Sequence, residues 1–392
     1  MPKKVTNKKR KICFVITSFI HYSRHLLVLE ELKKRKDVDL HIIIGGTALL
    51  SKYTSRYTQA RDLLESDGFK NLYEAYFNLE GDSVAVKAKT AGLGIIEFAN
   101  IFNNIKPDLI VVRGDRFEVL SAATAASYMN IPVAHIEGGD VSGTLDEAVR
   151  HSITKLSHIH FPTNEESKKR ILKMGEDKKY VFNFGSPDIE MVSKISRGDN
   201  NFNIKQTGSG AYINLKDKFL IVMYHPVSTD INALGRNTKQ LLDTIHGIDI
   251  PALWFWPNAD LGAEKIAHEM RVFNDSVANH KIRFMRYMSP KQFIILLKNA
   301  NCLVGNSSAG IKECSYLGTP VVNVGTRQNN RLREKNVIDV VNDKDKIKKA
   351  VKKQLSKGNY KPSNLYYSNN TSRNIAKTLA TVNLYIQKSF VG

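Results

Sequence analysis

Cysteine is scarce in this chain. Only Cys13, Cys302 and Cys314 occur among the 392 residues, an odd number, far apart and without a Cys-x-x-Cys pair. This spacing argues against a disulfide framework and against a zinc site built from thiolates. Such cysteine usage fits a reducing compartment, and we expect the protein to be cytoplasmic.

Long apolar runs are also missing. No segment approaches the ~20 uninterrupted apolar residues that a membrane-spanning helix needs, so we expect no integral membrane segment. The lysine-rich residues 3–11 and the apolar run Ile12–Ile20 imitate a signal peptide, but no small-x-small cleavage site follows them. We therefore predict a first strand behind a basic tail.

Acidic residues are outnumbered by basic ones. There are 58 Lys and Arg against 38 Asp and Glu, which gives a formal net charge of +20. Such a charge attracts polyanions, but the lysines are concentrated before the first strand and over residues 344–361, as in solvated tails and helix faces. Neither cluster carries the interleaved aromatic residues of a single-strand binder, so we expect no nucleic acid. A basic cleft also suits a small phosphorylated substrate.

Short apolar runs alternate with segments of helical periodicity, which is the pattern of parallel α/β domains. Strands are predicted at Ile12–Thr17, Val38–Gly46, Asp108–Gly114, Ile131–Glu137, His158–Pro162 and Tyr180–Gly185, and in a second series at Phe219–Tyr224, Ala252–Trp256, Cys302–Val304 and Val321–Val324. Helices are predicted at Arg24–Lys36, Phe117–Met129, Glu147–Leu156, Thr238–Ile245, Ala263–Phe273, Pro290–Asn299, Ile311–Leu317 and Asn370–Gln387.

Two doubly wound, Rossmann-like domains follow from this alternation. The first is predicted over residues 1–195 and the second over residues 218–369. Between them, residues 196–217 break the periodicity with glycine and asparagine and are predicted to be a linker or exposed loop. The last segment, 370–392, is predicted to form a helix that packs back on the first domain. Open α/β sheets bind ligands beyond the carboxyl ends of their strands, so we expect a central cleft that both domains face.

Three carboxylates are predicted to meet at one edge of the first sheet. Asp115 lies in the turn after one strand, Glu137 in the turn after the next, and Asp146 at the start of a helix. Neighbouring negative charges and desolvation separate the pKa values of such groups, so that one acts as base while another stays protonated. The alternative is that they only end turns and cap a helix, because Asp is a good N-cap.

An anion site is predicted in the second domain at Gly305-Asn306-Ser307-Ser308-Ala309-Gly310. A strand ends in glycine, hydroxyl residues follow and a helix starts, so that hydroxyls, N–H groups and the helix dipole converge. This motif is neither a Walker loop nor a dinucleotide-binding fingerprint. An ordinary serine N-cap explains it equally well, and Arg327 in the following loop favours the anion.

Three further residues are placed near this site by the pattern. Glu313 comes five residues after Ser308, about one and a half helical turns, where it could accept hydrogen bonds from ribose hydroxyls. His225 and Asn258 each follow a predicted strand and are expected to point into the same cleft. Solvated or structural roles are the alternative for Glu313 and His225.

These motifs together resemble the hydrolysing UDP-N-acetylglucosamine 2-epimerases of sialic-acid synthesis and their close relatives. The matching text is Arg-Gly-Asp-Arg-Phe-Glu at 113–118, His-Ile-Glu-Gly-Gly-Asp-Val-Ser-Gly-Thr-Leu-Asp-Glu-Ala-Val-Arg-His at 135–151, His-Pro-Val at 225–227, Pro-Asn-Ala-Asp at 257–260, Gly-Asn-Ser-Ser-Ala-Gly at 305–310 and Gly-Thr-Arg-Gln at 325–328. The motifs lie in order over roughly residues 105 to 330, and so many long matches do not arise by chance.

The resemblance implies a glycosyltransferase-B-like pair of domains, a UDP-sugar substrate, a homo-oligomer, and neither a metal nor another cofactor. It makes Asp115, Glu137 and Asp146 the acid/base carboxylates and His225 their partner near the sugar and diphosphate. For substrate binding it implies phosphate contacts from Ser307 and Ser308, a ribose contact from Glu313, and a nucleotide-sugar site lined by Arg116, Asn258 and Arg327. The implied reaction eliminates UDP to a 2-acetamidoglucal and hydrates it to N-acetylmannosamine, as in sialic-acid or surface-polysaccharide synthesis.

The amino-terminal third departs from this family. Phe19 occupies the position of a usual arginine, and a usual histidine is replaced near Thr47. We expect Arg24 and His25 to supply the missing positive charge from one helical turn further on. The departure leaves a UDP-diacetamido-trideoxyhexose open as the substrate, and a non-hydrolysing outcome open as well. A glycosyltransferase or a non-catalytic UDP-sugar-binding protein remain rival classes.

Overall fold

The computed structural model describes residues 9–50, 60–81, 83–198, 204, 206–227, 230–257, 260–285 and 288–391. The chain divides into two compact units. The first comprises the described residues up to Asp140, Asp146–Glu190 and the described residues from Ser368 onward, and the second comprises those of Val141–Leu145 and Met191–Tyr367. None of the described helices is long and apolar enough to cross a membrane.

The first unit alternates strands and helices throughout. Its elements in chain order are β1 Arg10–Ile16, α1 Phe19–Lys33, β2 Val38–Gly45, α2 Ala60–Ser66, β3 Leu72–Ala75, α3 Val84–Ile105, β4 Leu109–Arg113, α4 Phe117–Tyr128, β5 Val133–Ile136, α5 Asp146–Leu156, β6 Ile159–Phe161, α6 Glu165–Lys173 and α7 Pro187–Arg197. Short 3-10 helices lie at Gly46–Leu49 and Lys178–Tyr180. Helix α7 runs on into the second unit.

The six strands form one parallel sheet in the order β3-β2-β1-β4-β5-β6, which is the Rossmann order. Ile12 of β1 pairs with Leu40 on one side and with Leu109 on the other, so β1 is central. Phe98 and Phe102 of α3 join the core on one sheet face together with Cys13 of β1. The strands are buried on both faces, which explains why they consist of continuous apolar runs.

The second unit repeats this architecture. Its elements are β7 Gly208–Gly210, β8 Leu220–Met223, α8 Leu234–His246, β9 Ala252–Phe255, α9 Ala263–Ser276, β10 Ile282–Met285, α10 Pro290–Asn299, β11 Cys302–Gly305, α11 Ser308–Ile311, α12 Glu313–Leu317, β12 Val321–Val324, β13 Val337–Val340 and α13 Lys344–Lys357. The last helix, α14 Thr371–Thr381, belongs to the first unit. The seven strands lie in the order β13-β12-β11-β8-β9-β10-β7, and only β7 is antiparallel to its neighbour.

Alternate residues of the central strands of this sheet fill two separate cores. Val222 and Trp254 lie in one core, while Ile221 and Leu253 lie in the other. Successive side chains of a strand point to opposite faces, so these apolar strands require helices on both sides. The predicted class of two Rossmann-like α/β domains is therefore confirmed.

The predicted loop over 196–217 contains a strand that the sequence pattern conceals. Gly208 and Gly210 have φ of +133° and +89°, and a Cβ on either would lie 1.9 or 2.4 Å from a carbonyl oxygen of β10. Only glycine permits so close a pairing. The glycines were interpreted as a break in structure, whereas they form an edge strand.

Three other predicted elements differ in the structure. The predicted strand Tyr180–Gly185 is only an isolated bridge between His160 and Val181. The predicted helix Ile311–Leu317 is interrupted at Lys312, which separates α11 from α12. The predicted helix over 370–387 ends at Thr381, and the next residue, Val382, has an extended backbone.

The segment 382–391 binds to the end of α5 within the first unit. The ammonium group of Lys388 donates to the carbonyl oxygens of Thr154 and Lys155 at 3.3 and 2.6 Å and pairs with Glu176 at 2.6 Å. A cation at a helix C-terminus satisfies carbonyls that have no partner in the helix. Burial would raise the pKa of Glu176, but hydrogen bonds from His160, Lys155 and Lys388 lower it to about 2.

Candidate active site

The turn after β4 carries Asp115 and is fixed from β5. Gly114 has φ of +77°, and its carbonyl oxygen accepts a hydrogen bond from Nε2 of His135 at 2.8 Å. Nδ1 of His135 lies 3.1 Å from the hydroxyl of Thr154. Burial lowers the pKa of His135 from 6.5 to about 3, so the ring is neutral near pH 7 and positions the turn by hydrogen bonding alone.

Asp115 is also held from α5. Arg150 donates a guanidinium hydrogen bond to its carboxylate and a second one, of 2.9 Å, to the carbonyl of Asp140. The Arg150 side chain is 1% exposed, whereas that of Asp115 is 29% exposed. Asp146 precedes Arg150 by four residues, one turn earlier on α5, and is half-buried. Asp115 thus follows the end of β4 and Asp146 begins α5, as the sequence pattern predicts, and the buried cation Arg150 fixes Asp115.

Glu137 lies in an alternating chain of charges at the end of β5. Nε and Nη2 of Arg113 both lie 2.8 Å from Oε2 of Glu137. The same guanidinium group donates to Asp188 of α7, and Nε of Arg24 lies 3.8 Å from that carboxylate. Burial would lower the pKa of Arg113, but the charges of Asp188 and Glu137 raise it above its ordinary value. We call Arg24, Asp188, Arg113 and Glu137 the arginine–carboxylate cluster.

The backbone of Glu137 is in the left-handed region, with φ of +69°. This is uncommon for a residue with a side chain and costs roughly 1–3 kcal/mol. Two glycines follow because the loop runs close to its neighbours: a Cβ on Gly138 would lie 2.8 Å from the His135 ring, and one on Gly139 would lie 2.4 Å from the carbonyl oxygen of Ser167. The Glu-Gly-Gly sequence at 137–139 thus allows the chain to turn sharply away from β5.

Arg116 has a local partner. It precedes α4, and its guanidinium group forms hydrogen bonds of 3.1 and 2.9 Å with both oxygens of Glu118, a fully buried carboxylate. The predicted contact of Arg116 with a nucleotide sugar stays a prediction. Of the two positions where the chain departs from its family, Thr47 donates to the carbonyl oxygen of Thr17 at 3.2 Å, and the side chain of Phe19 lies outside the described residues.

In the second unit, His225 and Asn306 connect the ends of β8 and β11, where the strand order reverses. Oδ1 of Asn306 accepts from the His225 N–H at 2.7 Å, and Nδ2 of Asn306 donates to the His225 carbonyl at 2.9 Å. Gly305 has φ of +135°, and a Cβ there would lie 2.1 Å from the carbonyl oxygen of Met223. Such reversal points are where open α/β sheets bind ligands.

The serine-rich turn after β11 caps a very short helix. Oγ of Ser307 accepts a 3.3 Å hydrogen bond from the N–H of Ala309, while Ser308 is half-buried and opens α11. Glu313 is buried and opens α12, so it does not continue one regular helix from Ser308 as the sequence pattern predicted. The N-cap alternative is thus realised at Ser307, and its phosphate contact stays a prediction.

Arg327 lies beside this turn. Its Nη1 donates to the carbonyl of Asn306 at 3.3 Å, and its Nη2 lies 3.6 Å from the carboxylate of Asp260. The carbonyl of Arg327 accepts from the N–H of Gly143 at 3.1 Å, so the loop 141–145 packs against the Gly-Thr-Arg loop. Asn258, the remaining predicted residue, lies outside the described part of the chain.

The predicted residues thus divide between the two units: Asp115, Glu137, Asp146, Arg116 and Arg24 belong to the first, and His225, Ser307, Ser308, Glu313 and Arg327 to the second. A model of the UDP-N-acetylglucosamine 2-epimerase family matches residues 30–380. The chain belongs to this family.

Individual relatives of the 2-epimerase family agree over almost the whole chain. A UDP-N,N'-diacetylbacillosamine 2-epimerase (hydrolyzing) of Legionella pneumophila is 32% identical over 378 residues, which is 96% of this chain and 97% of the relative. A UDP-N-acetylglucosamine 2-epimerase of Neisseria meningitidis is 29% identical over 96% of this chain and 95% of the relative. The Methanocaldococcus jannaschii UDP-GlcNAc 2-epimerase, crystallised with UDP-GlcNAc and UDP, has a TM-score of 0.75 at 20% identity over 94% of this chain and 99% of its own, and therefore shares the fold.

Sequence reasoning missed several residues that hold the candidate site of this 2-epimerase family member. Arg113, Arg150 and Asn306 lie within the sequence motifs described above, close in sequence to Asp115, Asp146 and Ser307. Their positions could therefore have indicated a role in the site. Asp188 gave no such signal, because it lies 75 residues from its partner Arg113. Among the described residues, no group of three His, Cys, Asp or Glu is arranged to hold a metal ion.

Proposed function

We propose that this protein is a hydrolysing UDP-sugar 2-epimerase. Membership of the 2-epimerase family supports this reaction class, and the carboxylates Asp115 and Glu137 at neighbouring strand ends are the observation that carries it. Each is paired with a fully buried arginine, Arg150 or Arg113. Pre-oriented charged groups of this kind are what proton transfer at a fixed carbon requires.

The C2 hydrogen of a pyranose is not next to a carbonyl. A carboxylate therefore removes it only while the bond from C1 to the UDP oxygen is breaking and positive charge develops on the ring. The proton goes to the carboxylate, the C–H electron pair forms the C1=C2 bond, and UDP leaves with the C1–O electrons. Water then adds at C1 and a proton is delivered to C2 from the other face, which gives the free 2-epimeric sugar and UDP.

The proposed roles follow this sequence. Asp115, Glu137 and Asp146 exchange protons with the sugar, and His225 assists near the sugar and diphosphate. Ser307, Ser308 and Arg327 stabilise the leaving diphosphate, Glu313 binds the ribose, and Arg24, Arg116 and Asn258 bind the nucleotide sugar. Charge-assisted contacts to the leaving group matter most, because negative charge accumulates there in the transition state.

Two sugars are candidates for the substrate. Resemblance of the motifs favours UDP-N-acetylglucosamine, with N-acetylmannosamine as product. The Legionella relative, and a Campylobacter jejuni GDP/UDP-N,N'-diacetylbacillosamine 2-epimerase (hydrolyzing) that is 32% identical over 86% of this chain, favour the UDP-diacetamido sugar instead. Both relatives carry the word hydrolyzing in their names, which supports release of the free sugar over return of an epimeric UDP-sugar.

The test is to incubate the protein with each UDP-sugar separately in deuterated water and to follow products by NMR. We expect UDP and a free sugar deuterated at C2 from one of them, with no acceptor added. Asp115→Asn and Glu137→Gln keep the shape of each side chain and should slow turnover by about two orders of magnitude or more. A product that keeps UDP would contradict hydrolysis, a requirement for an acceptor would indicate a glycosyltransferase, and binding of both sugars without turnover would indicate a binding protein.

A further inference from the structure

The arginine–carboxylate cluster contains a residue that no motif identifies. Asp188 lies in the first turn of α7, and its carboxylate accepts from the guanidinium group of Arg113 while Arg24 lies 3.8 Å away. Its side chain is 3% exposed and that of Arg113 is 1% exposed. Two buried opposite charges in contact are costly to remove singly, because the remaining one loses its partner in a poorly solvated site.

Arg113 connects this buried carboxylate to Glu137. The guanidinium group donates to both acids and cannot be deprotonated near neutral pH. The charge that it presents to Glu137 is therefore shared with Asp188. A planar, fork-shaped group that bridges two carboxylates also fixes their relative orientation, which a lysine could not do.

The backbone of Glu137 adopts an uncommon, left-handed conformation. Glu137 has φ of +69°, a conformation that favours glycine, and yet it is not one of the two glycines that follow it in the sequence. Its N–H donates to the carbonyl of Phe161 at 2.9 Å, and Arg113 holds the carboxylate from the other end. A strained conformation persists only when surrounding contacts determine it, and such residues cluster at functional sites.

We propose that Asp188 is a positioning residue that acts through Arg113 to orient Glu137 and to keep its carboxylate basic enough to act as the base at C2. This inference rests on the proposed function. Arg113 on β4 contacts Glu137 directly, and Asp188 on α7 pairs with the same guanidinium group. Arg24 on α1 lies 3.8 Å from Asp188, and the neutral His135 lies two residues before Glu137. Asp188 weakens the field of Arg113 at Glu137 to the strength that leaves the base ionised and yet basic enough to take a proton.

Two substitutions should change the pH at which Glu137 takes up a proton in opposite directions. Asp188→Asn keeps the shape but leaves the full charge of Arg113 on Glu137, so Glu137 stays ionised to lower pH and becomes a weaker base. Arg113→Gln keeps N–H donors but removes the cation, so Glu137 takes up a proton at higher pH. Glu166→Gln is a matched control, because Glu166 pairs with Lys169 at 2.8 Å on the exposed surface.

The experiment measures kcat and KM of each variant from pH 5 to 9 with the sugar that the wild type consumes, after thermal unfolding has shown that the variant is folded. We expect Asp188→Asn to lower kcat about tenfold with KM within twofold, and to move the midpoint of the acid limb of kcat by about one unit to lower pH. Arg113→Gln should move it by a similar amount to higher pH, and Glu166→Gln should not move it.

A purely structural role for Asp188 would lower the unfolding temperature or the active fraction without moving the acid limb. An unmoved limb in folded Asp188→Asn, or a shift of both variants in the same direction, would overturn the proposal. Should Arg113→Gln fail to fold, the direction of the shift in Asp188→Asn alone decides the matter. Failure of the proposed function has a separate signature, namely that the wild type releases no UDP from either sugar.

Discussion

The buried ring of His135 makes the stability of the first unit depend on pH in a specific way. Its pKa is lowered from 6.5 to about 3 by burial, so the folded chain keeps the ring neutral where the unfolded chain protonates it. Because the pKa of His135 is lower in the folded state, the folded first unit keeps its full stability above pH 6.5. It loses part of this stability as the pH falls from 6.5 towards 3. At 1.36 kcal/mol per pKa unit, His135 costs the folded state about 2 kcal/mol between pH 7 and 5, and about 3 kcal/mol by pH 4.

The substitution His135→Gln removes this titration and keeps an amide donor for the carbonyl of Gly114. At pH 7 the variant should be less stable by about 1 kcal/mol, the value of an imperfectly replaced hydrogen bond. The difference should shrink on acidification and change sign at about pH 5.7. Other acidic groups titrate alike in both proteins and therefore cancel in the difference.

The assay is urea unfolding at several pH values, read by hydrogen exchange of peptides that cover β4 and β5. Tryptophan fluorescence serves as an internal control, because Trp254 and Trp256 both lie in the second unit and should report no difference between the two proteins. A stability difference in β4 and β5 that stays constant from pH 7 to 5 would refute a neutral buried His135.

Three further predictions follow from contacts described above. Gly305→Ala should destabilise the second unit by roughly 3 kcal/mol, because its φ of +135° and the nearby carbonyl leave no room for a Cβ; a melting temperature within about 2 °C of the wild type would contradict this. Lys388→Met should cost the first unit about 2 kcal/mol by removing a charged partner of Glu176, measured as earlier urea unfolding of α5, and unchanged protection of α5 would speak against it. Arg24→Ala should raise KM for the nucleotide sugar several-fold with little change in melting temperature, since Asp188 keeps Arg113; an unchanged KM would exclude the proposed replacement of the missing family arginine.

The sequence was sufficient for those features that depend on short spacing. Asp115 and Glu137 were expected at strand ends because apolar runs stop directly before them, and both strands are present. Likewise, the turn after β11 was predicted from glycine and serine alone. Periodicity and turn residues are local signals, so they carry this information reliably.

Contacts between residues that are far apart in the sequence could not be predicted from such local patterns. The partner of Arg113 is Asp188, 75 residues later, and the partner of Asp115 is Arg150, 35 residues later. Lys312, where the predicted helix is interrupted, is also buried, with its ammonium group 5.4 Å from the centre of the distant Tyr366 ring. Such contacts override local helical preference.

The return of the chain to the first unit after residue 368 has a consequence for the order of folding during synthesis. All segments of the second unit precede α14 and Lys388 in the chain, so that unit can be completed while the first still lacks them. Until then, Leu379 cannot accept its hydrogen bond from Arg10 of β1, and the carbonyl of Lys155 at the end of α5 lacks its hydrogen bond from Lys388. We therefore expect the earlier-synthesised unit to complete its packing only after all segments of the later one have been made, the reverse of the usual vectorial order.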